Sequence, residues 1–160
     1  MFPRVNASDL GNMNTCRLQQ ARSNKIIVAG MSQRLEAILD RGKTLAGKST
    51  TIIVSDSIED LKVLLAIINS KLATWLTRNL FNSLKMAGGY LNYGSREVLA
   101  LPVPKLSDTT KNEFIKLVDA IHDKIATSTA SPDISVEINA IDELIYKAYG
   151  LTSTEAEIIS

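Results

Sequence analysis

The 160-residue chain has one cysteine and one histidine. Cys16 alone can close no intramolecular disulfide and build no cysteine zinc cage, and a lone thiol fits a reducing, cytoplasmic setting. His122 leaves few combinations for histidine metal ligation or nucleophile activation. No run approaches the ~18 apolar residues of a membrane span, and residues 1–20 contain no signal-peptide apolar region. No membrane partner is expected.

A net charge of +1 hides a division along the chain. Residues 1–96 carry 13 Lys and Arg against six acids, a balance of +7, whereas residues 97–160 carry five lysines against 11 acids, a balance of −6. From Leu61 to Arg96 there are five basic residues and no acid. Such a split suggests a polyanion-facing part joined to an acidic part that would repel one. Ordinary solvated faces produce similar runs.

Residues 1–24 are polar and aperiodic, which suggests a leader, or a strand whose partner lies upstream. Residues 25–30 (KIIVAG) are a β-branched run closed by glycine and predict a strand. Residues 34–39 and 50–55 predict two more, joined as a hairpin through the turn chemistry of Asp40-Arg41-Gly42. Ser57 to Asp60 open a helix whose apolar positions Leu61, Leu64, Leu65, Ile68, Leu72, Trp75, Leu76 and Leu80 share one face, with a bend at Asn69-Ser70. Trp75 is expected in the core. Residues 90–93 and 98–101 predict short strands, and Pro102-Val103-Pro104 an extended exit.

Beyond that exit, Thr110 to Glu113 form a capping box. Phe114, Val118, Ile121 and Ile125 are answered by Ile134, Ile138, Ile141, Ile145 and Ala148 across a short loop, which predicts an antiparallel helical hairpin. Gly150 stops it, and Thr152 to Glu155 start a last short helix. The expected fold class is α+β: a small mixed α/β unit over residues 25–104, then the helical hairpin over 105–160.

Residues 42–49 (GKTLAGKS) satisfy the phosphate-loop pattern literally. A true phosphate loop opens into a helix whose N-terminus faces the phosphates. Here Thr50-Thr51-Ile52-Ile53-Val54 follow, five β-branched residues that predict a strand. Methyl transfer to a base needs a cofactor glycine loop and a pocket for a flipped base, and the chain has neither a Gly-x-Gly nor an Asn-Pro pair. Asp56, Glu59 and Asp60 beside Lys62 could hold magnesium in a nuclease, but a helix start attracts acids for its dipole alone. His122 flanks an apolar stripe and is expected at the surface. No catalytic residue and no metal site is expected.

Three stretches resemble the C-terminal specificity region of adenine-specific DNA methyltransferases of the TaqI and Eco57I kind, from restriction–modification systems. They are residues 64–76 (LLAIINSKLATWL), 99–104 (LALPVP) and 141–151 (IDELIYKAYGL) with 152–158 behind them. Type I specificity subunits use a similar plan. The resemblance covers roughly residues 25–160. It implies that 25–104 reads a short sequence of double-stranded DNA and that 105–160 braces it against a methyltransferase catalytic domain or subunit. The chain would be a fragment or subunit that is not an enzyme alone. It would need no cofactor, S-adenosylmethionine belonging to the catalytic domain that this sequence lacks.

Duplex recognition uses cations on phosphates and polar side chains on base edges. The expected DNA contacts are Arg34 with the hairpin bearing Arg41, Lys43, Lys48, Ser49 and Thr50, and the Gly-rich turn bearing Lys85, Tyr90, Asn92, Tyr93, Ser95 and Arg96. The 141–151 motif is expected to be structural. Two competing readings stay open: a helical protein-interaction module that self-associates or docks a partner through residues 114–148, and a nucleotide binder built on residues 42–49.

Overall fold

The computed structural model describes residues 15–159. Strand β1 (Asn24–Ala29) is flanked by β3 (Ala37–Arg41) and β4 (Thr50–Val54) in an antiparallel sheet of order β3-β1-β4. The most apolar strand takes the centre, where both faces are covered. Ile26 and Val28 are fully buried in the main core with helix α2 (Ile58–Ile68), while Lys25 and Ile27 alternate to the outer face.

Strands β3 and β4 do not pair with each other. Arg41 lies opposite Asn24, and Thr50 lies opposite Ala29. Residues 42–49 therefore cross the outer face from one end of the sheet to the other, and the expected hairpin does not form. Asp40 and Arg41 belong to β3, and the turn falls on Gly42 at φ 71°. A side chain there would meet Arg22 O at 2.3 Å, and one on Gly30 would meet Ser49 O at 2.0 Å, so both ends of the crossover need glycine beside them.

Residues 15–22, expected as leader or strand, form helix α1 (Thr15–Arg22) against the crossover; the rest of that segment, residues 1–14, lies outside the described residues. The apolar stripe over 61–80 is two helices. Helix α2 is capped by Ser57, whose Oγ accepts from Asp60 N at 3.0 Å, and α3 (Lys71–Leu80) by Ser70, whose Oγ accepts from Ala73 N at 3.0 Å. Trp75 is 37% exposed, not core. A two-residue ribbon joins β2 (Met31–Ser32) to β5 (Leu91–Asn92).

Residues 98–101, expected as a strand, instead close helix α4 (Ser95–Leu99) and its exit: Glu97 Oε2 accepts from Gly94 N at 2.8 Å, and Leu101 N bonds locally to Val98 O. Helix α5 (Asp108–Thr127) starts ahead of the expected box, because Ser107 Oγ accepts from Thr110 N at 3.2 Å. Helix α6 (Ser135–Ala148) returns beside it, and Lys124 near the end of α5 pairs with Glu137 near the start of α6 at 2.6 Å. This is the antiparallel hairpin. Thr152 and Glu155 cap each other at the start of α7 (Ser153–Ile159).

The fold is α+β, with helices packed on small antiparallel sheets. One core runs through it, from Ile26 and Val28 of the sheet through Leu61, Leu65 and Ile68 to Phe114, Val118, Ile141 and Ile145 of the hairpin. Among the described residues no helix is long and apolar enough to cross a membrane.

Candidate nucleic-acid interface

The crossover is held from beneath by a buried charge pair. Lys25 and Asp40 face each other across β1 and β3, 1% and 6% exposed, and their side chains form a salt bridge. Lys25 Nζ also donates to Ala21 O at 3.0 Å, which ties α1 to the sheet. Asp40 accepts from the amides of Lys43 at 3.1 Å and Thr44 at 3.2 Å, which ties down the start of the crossover. Burial alone would raise the Asp40 pKa. The hydrogen bonds from Lys25 and Thr44 and the charge of Lys25 outweigh it and hold the carboxyl below its ordinary value.

This arrangement sorts the expected contacts into two places. Arg41 and Lys43 sit at the Asn24 end of the sheet, while Ser49 and Thr50 sit at the Ala29 end. With five residue steps at about 3.4 Å each from Asn24 to Ala29, the two ends stand about 17 Å apart. The Gly-rich turn joins the second group. Tyr93 N donates to Gly30 O at 2.8 Å, Thr51 Oγ1 to Tyr93 O at 3.3 Å, and Asn92 pairs with Met31. The Ala29 end thus carries Ser49 and Thr50 with Lys48 before them and the Asn92 ribbon beside them; Lys85 lies against Gly89 of the same turn, and Arg96 follows it in α4. Arg34 belongs to the same end, pairing with Glu36 at 2.7 Å, and Glu36 O accepts from Ala29 N.

Tyr93 leaves the set. It is 1% exposed in the core, and its hydroxyl makes no well-formed hydrogen bond to a described residue; burial raises its pKa, with the neighbouring Thr77 hydroxyl opposing. The aromatic side chain at this end that reaches solvent is Tyr90, which is 42% exposed.

Some polar residues at this end carry no pattern that marks them in the sequence. Arg78 donates to Gln33 O at 3.3 Å, and Gln33 Nε2 donates to Gly88 O at 3.0 Å, so both belong to the Gly-rich turn. Arg17 and Gln20 of α1 stand with Lys48 around one hollow. Arg78 lay within the acid-free run; Arg17 and Gln20 lay in the supposed leader.

The charge split is partly answered inside the molecule. Lys62 is buried and pairs with Asp119 of α5 at 2.7 Å, and Lys71 stands 3.9 Å from Asp142 of α6. Two of the five cations in the acid-free run therefore join the basic unit to the acidic one. Lys62 is thereby directed away from Asp56, Glu59 and Asp60. His122 is partly exposed; burial lowers its pKa, Arg41 and Lys62 add to this, and Asp119 opposes it.

The three stretches that carry the family resemblance meet. Asn69 Oδ1 accepts from Ala37 N at 2.8 Å and its Nδ2 donates to Ala37 O at 2.9 Å, so one side chain pairs the open edge of β3 as a strand would. Its neighbour Ser70 caps α3, and Lys71 N donates to Asp142 Oδ1 at 3.0 Å. Tyr149 donates its hydroxyl to Pro102 O. The first stretch thus binds the third, and the third binds the second, in a joint between sheet and hairpin. Set against models of protein families and against characterised proteins, the chain matches none.

Proposed function

We propose that this chain is a non-catalytic recognition unit for double-stranded DNA, of the kind that works beside a methyltransferase catalytic domain or subunit in a restriction–modification system. The observation that carries the reading is the Ala29 end of the sheet. Lys48 ends the crossover there, Lys85 and Arg96 flank the Gly-rich turn that pairs with it, and the three form no ion pair with a described residue; Ser49, Tyr90 and Asn92 add exposed polar side chains. Unneutralised cations serve phosphates, and Asn and Tyr on short loops reach base edges. Bracing a reading end against a catalytic partner needs a stiff joint, and the contacts of Asn69, Lys71, Asp142 and Tyr149 supply one. The site of action is then cytoplasmic, and S-adenosylmethionine belongs to the partner.

The test is fluorescence anisotropy with a random-sequence duplex at two salt concentrations. Micromolar binding that falls steeply with salt supports the reading. Absence of binding at low salt removes it.

A second reading has its own observation. An open apolar hollow of about 690 Å³ lies between the β3 edge, α3, α5 and α6, with Trp75, Ile125 and Ile138 exposed along it. Patches of this kind mark protein contacts. A protein-interaction module would bind through this hollow and show no salt-dependent affinity for DNA.

A further inference from the structure

Residues 42–49 spell a phosphate-loop pattern where no helix follows, and the fold offers them a different use. Between the crossover and α1 lies a hollow of about 140 Å³ whose walls include Arg17, Gln20, Gly47, Lys48 and Thr50. At about 30 Å³ per water it has the room of four or five waters, which suits one phosphate group. Among the described residues no carboxylate lines it.

Three cations reach this hollow, and they differ in kind. Lys25 is spent on Asp40 and Ala21 O. Arg17 and Lys48 are exposed and pair with no described residue. The backbone amides of Ala46, Gly47 and Lys48 also donate to no described residue. Two unneutralised cations and open loop amides around one small concavity are what an oxyanion requires.

We propose that this hollow binds a single phosphate group through Arg17 and Lys48, and that its source is a phosphodiester of the DNA backbone. The source, but not the site, rests on the DNA-recognition reading. The literal match to a nucleotide-binding loop is then a phosphate cradle without nucleotide chemistry.

The experiment uses the full chain in two arms. In the first, amide NMR spectra are recorded with millimolar inorganic phosphate against chloride of matched ionic strength. Shifts are expected at Ala46, Gly47 and Lys48, and they should vanish in Arg17→Ala and in Lys48→Ala. In the second, the salt dependence of duplex binding is measured for the same variants. Each should weaken binding several-fold and lower the log–log slope by about 0.9, while Lys116→Ala on the exposed face of α5 should leave it unchanged. Shifts that lie elsewhere, or that survive Arg17→Ala, overturn the site. Phosphate shifts at the hollow with duplex slopes unchanged overturn DNA as the source. Steep duplex binding with neither effect overturns the proposal and leaves the DNA reading standing. If neither phosphate nor duplex binds, both fall.

Discussion

The backbone amide of Lys71 donates to the Asp142 carboxylate at 3.0 Å, across 71 positions of sequence. Lys71 is the first residue of α3, so a buried carboxylate from α6 satisfies one of the open amides at a helix N-terminus. Replacing it leaves that part-buried amide without its acceptor.

Asp142→Ala is therefore expected to cost about 1–3 kcal/mol in urea unfolding, and Asp142→Asn, which keeps an acceptor, less. The pH dependence has a definite sign. Burial raises the Asp142 pKa above its ordinary 3.8, with the Lys71 amide and charge opposing. A raised folded pKa means that the native state binds the proton more tightly, so this group's contribution is fully present below pH 3.8 and is lost as pH rises through its folded pKa. Wild type should gain on Asp142→Asn as the solution is acidified through that window. A constant difference between the two would contradict the assignment.

Asp40 carries the opposite sign. Its pKa is held below 3.8, so its contribution is present above pH 3.8 and is lost as pH falls through the lowered value. Lys25→Met alone strands a buried carboxylate and should cost about 3–5 kcal/mol, whereas Lys25→Met with Asp40→Leu should recover much of that. Chemical denaturation of the two variants distinguishes them. Equal losses would mean that the pair is not coupled.

Asn69→Ala removes both bonds to Ala37 and uncovers the β3 edge. Each bond is worth about 0.5–1.5 kcal/mol, and the exposed setting of Asn69 puts the loss toward the lower end. Hydrogen exchange at Ala37 reads it directly. Protection unchanged from wild type would deny the edge contact.

Under the DNA reading, Lys48→Ala and Lys85→Ala should each weaken duplex binding and lower the salt slope by about one. Arg41→Ala, at the far end of the sheet, should do less. Equal effects at all three positions would mean that DNA tracks the whole outer face instead of one end.

Tyr93→Phe should leave duplex affinity unchanged. It should also change stability little, because the hydroxyl it deletes is buried and makes no well-formed hydrogen bond to a described residue. A loss of DNA affinity with no loss of stability would return Tyr93 to the interface.

Much of the local structure was legible. The β-branched run of β1, the Ser57 cap, and the heptad stripes of Phe114 to Ile125 and Ile134 to Ala148 all declare themselves, because strand sterics, capping and apolar periodicity act within a few residues. The candidate site was legible only as a set of residue types. Val98 misled because a β-branched residue beside Leu99 and Leu101 suits a strand, yet Glu97 satisfies the amide of Gly94 and begins a helix turn. Arg17 and Gln20 gave no signal at all, because nothing in a short polar stretch says what it will pack beside.

The amino-acid sequence by itself determined that β1, β4, α2, α5 and α6 fold as strand and helix, and that apolar faces would bury a helical hairpin. Tertiary structure alone decided the strand order β3-β1-β4, and with it that Arg41 and Thr50 stand at opposite ends of the sheet. It also decided that Lys62 and Lys71 answer acids of the helical unit while Lys48 and Lys85 pair with no described residue, that Tyr93 is buried, and that Trp75 is not. The reason is physical. Periodicity and capping are set by neighbours in the chain, but strand pairing, burial of a given ring and neutralisation of a given charge depend on which distant segment wins the same core.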